Sequence, residues 1–407
     1  MTRHSLVLGC GMAAALACAA QSGISTAEPV VRPGIDVLLS DSMALVDGRR
    51  VGLVTNQTGI DSRGVSDVER LRAAGVNLVA LYSPEHGFRG SAEPGASVAS
   101  TTDSATGLPI YSLYGRTASP TDSMLRGVDV MLVDLQDAGA RYYTYIATAT
   151  EVMRAAVRRH MPVIILDRPN PIGGAMAGNV LDTAYRSFVG RLPVPMRHGL
   201  TMGEMARFAN DEMEIGADLQ VVPVAGWQRD EYYDETGLPF VKPSPNLPTL
   251  ESLIHYPGTC LFEGTNLSVG RGSDHPFEQI GAPWLDAGRV LAQVRMAAPR
   301  GVTFDSVQFT PHAPGDGKYG DTLLAGIRLH VTDRAAYDPV QTAVLLLATI
   351  RDVSPEFKIS APHFDRLAGT SALRLGLESG LGATQLTSGW LQERKAFRER
   401  VGKYLIY

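Results

Sequence analysis

Cysteine is scarce: the chain has three in 407 residues. Two of them, Cys10 and Cys18, fall within the first twenty positions. If those positions are a removable leader, Cys260 stands alone, so no internal disulfide and no cysteine metal cluster can form. Positive charge is not in excess either. The formal net charge is −5, which gives no basic footprint for a nucleic-acid partner. Beyond residue 20 no apolar run is long enough to span a bilayer. Several motifs are missing as well. No GxGxxG follows the first strand and no GxxxxGK[ST] occurs, so nucleotide phosphates have no cradle. There is no GxSxG elbow for a serine hydrolase and no HExxH zinc motif.

The first stretch differs from the rest. Met1 to His4 is basic, and Leu6 to Ala20 is apolar and small. That length suits the core of a signal peptide better than a membrane span. Ser25-Thr26-Ala27 offers cleavage before Glu28, with Ala17-Cys18-Ala19 as a second possible site. The expectation is therefore an exported protein, periplasmic or secreted, with residues 1–27 as its leader. Losing Arg3 takes the formal charge from −5 to −6. A lipoprotein is the weaker alternative, because Leu16 sits one place too late for a lipobox.

Short apolar runs then alternate with helical patterns. Strands are expected at 51–55, 76–81, 128–133, 163–166 and 220–224. Helices are expected after the capping-box patterns Ser66–Glu69 and Thr201–Glu204 and across 146–160. Such alternation predicts a Rossmann-like α/β domain, a mainly parallel sheet flanked by helices. The proline-rich stretch 240–258 lacks periodicity and reads as a boundary. Strands at 303–309 and 324–331 and helices near 338–352 and 387–401 follow it. The expected division is residues 28–255 for the Rossmann-like domain and 256–407 for a smaller α+β domain completing a cleft.

Open α/β sheets bind ligands beyond the carboxyl ends of their strands. Four expected strand ends carry polar groups. They are Asn56 and Gln57; Glu85 and His86; Asp134, Asp137, Arg141, Tyr142 and Tyr145; and Asp167, Arg168 and Asn170. Amides, acids and tyrosines on one rim suit a sugar. Cleaving a glycoside needs a carboxyl that protonates the leaving oxygen, and a buried carboxyl favours its neutral, proton-donating form. Glu85, between Pro84 and Gly87, fits that role. By spacing alone a structural role, paired with Arg89 or capping the next segment, fits at least as well. His86 with Asp134 and Asp137 would offer a metal-dependent hydrolase a site, although no ligand spacing singles it out. An exported sugar-binding protein without catalysis is a further alternative.

The blocks "VGLVTNQTG", "LYSPEHGFRG", "DLQDAGARYYTYIAT", "LDRPNPIGG", "HGLTMGEMARF", "PSPNLPTLESLIHYPGTCLFEGTNLSVGRGSDHPFEQIGAPW" and the final "YLIY" resemble the DUF1343 family. Its characterised members are NamZ-type exo-β-N-acetylmuramidases of glycoside hydrolase family 171. The resemblance runs from about residue 34 to the C-terminus. It implies a Rossmann-like N-terminal domain, a smaller C-terminal domain and a site in the cleft between them. It also implies peptidoglycan-derived muramyl saccharides as substrates, with no cofactor, and the family's proposed catalytic glutamate falls on Glu85. His86 would then orient Glu85 or bind sugar.

On that resemblance the second carboxylate is open among Asp134, Asp137, Asp167 and Glu263. Inversion, retention and assistance by the substrate's acetamido group are all open too. The lactyl carboxylate of muramic acid calls for a bidentate cation, and Arg141, Arg168 and Arg271 are the candidates. The glycine-rich loop 263–281, which carries Glu263, Asn266 and Arg271, is long enough to be functional.

Overall fold

The structure, a computed structural model, describes residues 1–2, 31–93 and 95–407. The expected leader lies almost wholly outside the described residues. Among those residues, no helix is long and apolar enough to cross a membrane.

The N-terminal half begins with α1 (Gly34–Asp41), β1 (Arg50–Thr55), α2 (Asp67–Ala73) and β2 (Asn77–Ser83). Next come β3 (Thr101–Thr102), β4 (Pro109–Ser112), β5 (Val130–Asp134), α3 (Tyr145–Val157) and β6 (Val163–Leu166). A hairpin of β7 (Ala177–Val180) and β8 (Pro195–Arg197) follows, then α4 (Met202–Glu212) and β9 (Leu219–Val222). Seven strands form one sheet in the order β3-β4-β2-β1-β5-β6-β9. All neighbours are parallel except the β3 edge. The chain leaves β1 toward β2 and β4 on one side, and returns to β5, β6 and β9 on the other. The order therefore switches between β1 and β5, where ligands bind in doubly wound sheets.

Successive side chains of a strand point to opposite faces, and here both faces are covered. Val51, Leu53, Val130, Leu132 and Ile164 join the core on the side of α1 and α2. Val54, Met131, Val133, Val163 and Ile165 join the core on the side of α3 and α4. Burial on both faces is why these strands read as continuous apolar runs.

The remainder comprises α5 (Leu250–Thr259), β10 (Gln279–Ala282), α6 (Ala287–Ala297), β11 (Val302–Phe309), β12 (Leu324–Val331) and α7 (Pro339–Val353). The short helices α8 (Ala361–Ala368), α9 (Ala372–Glu378) and α10 (Ala383–Leu386) precede α11 (Trp390–Val401). Its three-stranded sheet, β10-β12-β11, is antiparallel. This is the smaller α+β domain. It is not a loosely tethered unit: the core beneath α3 and α4 continues through Leu253 and Phe262 to Val344 and Phe364.

Three local findings differ from the sequence expectations. The stretch read as aperiodic contains α5, despite Pro257 inside it, because Thr249 caps the helix through Ser252 and the residues from Ser252 to Thr259 are buried. The apolar face there is nearly continuous, which hides the period. Ser66 caps α2 through the Val68 N–H, one residue earlier than a capping box places it. The pair Thr201 and Glu204 does form the reciprocal box. The strands β3, β4, β7 and β8, of two to four residues, are too short to show a period.

Candidate active site

Residues 84–92 make a tight fold at the end of β2. Gly87 N–H donates to the Pro84 carbonyl and Gly90 N–H to Gly87. His86 is held at φ 70, a left-handed conformation uncommon outside glycine, asparagine, aspartate and histidine. Its Nδ1 lies 2.8 Å from the Ala92 carbonyl. A carbonyl only accepts, so Nδ1 carries the proton and Nε2 remains for other partners.

Glu85 is 8 % exposed. Its Oε2 accepts from Thr144 Oγ1 at 2.7 Å and its Oε1 from the Gly95 N–H at 2.9 Å. Among the described residues it has no ion-pair partner, so the Arg89 pairing that sequence allowed is not made. Burial, and then the nearby Glu85 carboxyl, push the Tyr114 phenol up to about 12.

Glu85 and His86 open onto a cavity of about 200 Å³ between the two domains. It is small among ligand pockets. Its aromatic wall joins the halves: Tyr142 meets Tyr256 edge-on at 6.0 Å, and Tyr256 meets Phe277 at 4.8 Å. Ser244 and Leu247 of the inter-domain linker add another wall. That linker is strapped to the switch point through the Pro243 carbonyl, which accepts from Tyr143 at 2.7 Å and Tyr145 at 3.1 Å.

Facing Glu85 from the C-terminal half is an ion pair. Arg271 donates through Nε to Glu263 Oε1 at 2.6 Å and lies over the Phe277 ring. Burial would raise the Glu263 carboxyl, but the guanidinium, with Lys318 behind it, overcomes this and holds it below its ordinary value. Glu263 is therefore ionised. Arg271 Nη1 is buried and has no acceptor among the described residues, an uncommon and costly state for a charged donor. On α8, His363 and Arg366 complete the rim. Burial pushes the His363 imidazole down.

Of the residues chosen from sequence, the structure thus gathers Glu85, His86, Tyr142, Glu263 and Arg271 around one cavity. The others lie elsewhere. Arg141 is a correction to the candidate cations: it is buried and donates to the carbonyls of Asn179, Val194, Leu367 and Ala368. Arg168 is a second correction, since it forks onto Asp134 and the Ile60 carbonyl beneath the rim. Neither lines the cavity.

Asp167 closes the N-terminus of α4, accepting from Thr201 Oγ1 and the Gly203 N–H. Asp137 accepts from Gly139 N–H and from His198 Nε2. Asn56 joins Tyr145 to Thr58, and Gln57 holds the Lys242 carbonyl. Asn170 bonds the Leu200 carbonyl and the Ile172 N–H. Asn266 bonds the Glu356 carbonyl and the Lys358 N–H. These side chains shape the loops around the cavity rather than line it. His86, Asp134 and Asp137 do not assemble into a ligand set, and among the described residues no group of three such side chains does.

Sequence reading missed Ser244, Tyr256, His363 and Arg366 and gave Thr144 no role. Each lies far along the chain from Glu85 or inside a helix, so no local pattern marks it.

Comparison with known proteins identifies the family. The family model for the N-terminal domain of exo-β-N-acetylmuramidase NamZ matches residues 51–251, and that for its C-terminal domain matches residues 254–407. The peptidoglycan β-N-acetylmuramidase NamZ of Bacillus subtilis (strain 168) is 43% identical over 384 residues, covering 93% of this chain and 92% of that protein. Two solved DUF1343-family structures from Bacteroides fragilis NCTC 9343 superpose with TM-scores of 0.84 and 0.76, at 33% and 30% identity. Each covers 93% of this chain and 99% of its own. With both domains matched, a fold shared along nearly the whole length and Glu85 at the wall of the inter-domain cavity, the chain belongs to the NamZ family of exo-β-N-acetylmuramidases.

Proposed function

We propose that this protein is an exo-acting glycoside hydrolase that releases N-acetylmuramic acid from the non-reducing ends of peptidoglycan fragments, with Glu85 as general acid. One observation carries the reading. A single small cavity holds a positioned carboxyl, Glu85, and a guanidinium, Arg271, with a buried donor left over. The first serves glycoside cleavage, and the second serves a ligand anion such as the lactyl carboxylate.

In this reading Glu85 gives its proton to the glycosidic oxygen as the bond to the anomeric carbon breaks. The shortened saccharide leaves as an alcohol. Water then completes the anomeric centre and its proton restores the acid. Glu263 fixes Arg271 through Nε, so that the Nη edge is free for the lactyl group. The aromatic wall of Tyr142, Tyr256 and Phe277 packs against the sugar.

The test is product analysis on two saccharides. Free N-acetylmuramic acid is expected from a muramic acid–glucosamine disaccharide, and no release from chains whose non-reducing end is glucosamine. Binding of the disaccharide without release would favour the non-catalytic sugar binder instead.

We further propose export, supported by the basic start, apolar core and small residues before Glu28. Native protein beginning at Glu28, or near Ala20, is the expected result of N-terminal sequencing. An intact Met1 on active protein would overturn it.

A further inference from the structure

Threonine at an N-cap with extended backbone ordinarily turns its hydroxyl back onto the N–H groups of the first turn, as Thr201 and Thr249 do for α4 and α5. Thr144, at the start of α3, has helical backbone angles and makes no cap bond, as Ser360 of α8 and Ser371 of α9 also make none. The Thr144 hydroxyl reaches instead to Glu85 Oε2, 59 residues earlier in the chain, at 2.7 Å. The helix forgoes a cap, and a carboxyl at the cavity gains a partner.

The other oxygen of Glu85 is held by the Gly95 N–H, which can only donate. A hydroxyl can do both: it donates to a carboxylate, and it accepts from a carboxylic acid. With the proton on Oε2 the Gly95 N–H keeps its bond to Oε1, and the Thr144 hydroxyl keeps hold of Oε2 by turning from donor to acceptor. We propose that Thr144 is a positioning residue for Glu85. It holds the carboxyl in one orientation and reverses its hydrogen bond as the proton leaves and returns. The proposal rests on Glu85 being the general acid.

The test compares Thr144→Val, Thr144→Ser and Glu85→Gln on the muramic acid–glucosamine disaccharide, with kcat and KM followed across pH and the melting temperature of each variant. The charged and titratable groups around Glu85 are His86, Tyr114 and Tyr145, with Tyr142, Tyr143, Tyr256, Cys260, Glu263, Arg271, His363 and Arg366 on the rest of the cavity. None is altered by the threonine variants, so a displaced profile reports the lost hydroxyl.

Valine removes the bond from both forms of the carboxyl, but the bond to the charged form is the stronger, so the neutral form persists to higher pH. The alkaline limb of the kcat profile is expected to move upward. At the optimum kcat should fall about tenfold, the rate equivalent of one hydrogen bond, with KM nearly unchanged. Serine should restore both rate and profile.

Wild-type kcat and an unmoved limb in Thr144→Val, beside an inactive Glu85→Gln, would overturn this proposal and leave the role of Glu85 standing. Equal losses in the valine and serine variants with lowered melting temperatures would also overturn it, because they report packing. A fully active Glu85→Gln would overturn the reading of Glu85 and this proposal with it.

Discussion

Tyr407 Oη donates to Asp167 Oδ2 at 2.7 Å, tying the last residue of the chain to the carboxyl end of β6. The same hydroxyl accepts from the Val224 N–H at 2.8 Å, and the ring packs edge-on against Trp227. A segment following the C-terminal helices is thereby built into the N-terminal domain. The final "YLIY" is a structural latch, remote from the residues that line the cavity.

Replacing Tyr407 by Phe keeps the ring and removes a hydrogen bond to a buried acid. The expected loss is about 1.5–3 kcal/mol of stability, typical of a bond to a charged group. Denaturant unfolding measures it, and the turnover rate of the folded enzyme should not change. Unaltered stability would mean that the latch contributes nothing.

Asp167 makes stability depend on pH in a predictable direction. Burial, aided by Glu204, pushes its carboxyl up to about 6, against the pull of Thr201, the Gly203 N–H and Tyr407. An unfolded aspartate titrates near 3.9. Between those values the folded chain holds more protons than the unfolded one, so this group's contribution falls as pH rises. It is fully present below about pH 4 and lost as pH passes 6. Measured against Asp167→Asn, the wild type should lose relative stability from pH 4 to pH 7. A gain over that interval would reverse the assignment.

Glu85→Gln preserves shape but removes the transferable proton. Turnover of the natural disaccharide should fall roughly 10²- to 10⁴-fold, with substrate affinity and melting temperature nearly kept. An activated aryl muramide leaves with little proton assistance, so the variant should retain more activity on it. Equal losses on both substrates would place Glu85 outside the acid role.

The arginines separate by kind of defect. Arg271→Ala should weaken transition-state binding of muramides by about 2–5 kcal/mol, as for truncating one partner of a buried charge pair, and narrow the preference over the matching glucosaminide. Arg141→Ala strips four backbone carbonyls of their donor and should act on folding, with a lower melting temperature. The same kcat/KM loss on muramide and glucosaminide for Arg271→Ala would show that Arg271 does not read the lactyl group. In that event Arg366, the other arginine of the cavity, is the next to replace.

Much of this was legible in the sequence, for physical reasons that can be named. Val163–Leu166 and Leu324–Val331 coincide with β6 and β12, because burial on both faces or one leaves a continuous or alternating apolar pattern. Glu85 could be singled out because a strand end followed by Pro-Glu-His-Gly is a local event, although the family resemblance, not the spacing, pointed to it as the acid. The partners of that residue are not local. Thr144 looks like an ordinary helix cap until the fold brings β2 beside the start of α3. Arg141, Arg168 and Arg271 look alike as residues, yet of the three only Arg271 lines the cavity, with a buried donor that has no acceptor among the described residues. The other two are turned to the Asn179, Val194, Leu367, Ala368 and Ile60 carbonyls and to Asp134. Composition and periodicity determined the layers, the boundary region and the strand that ends in Glu85. Which polar side chains satisfy the backbone and which remain for a ligand was decided only by tertiary packing, because a buried donor takes whatever acceptor the fold sets within hydrogen-bonding distance.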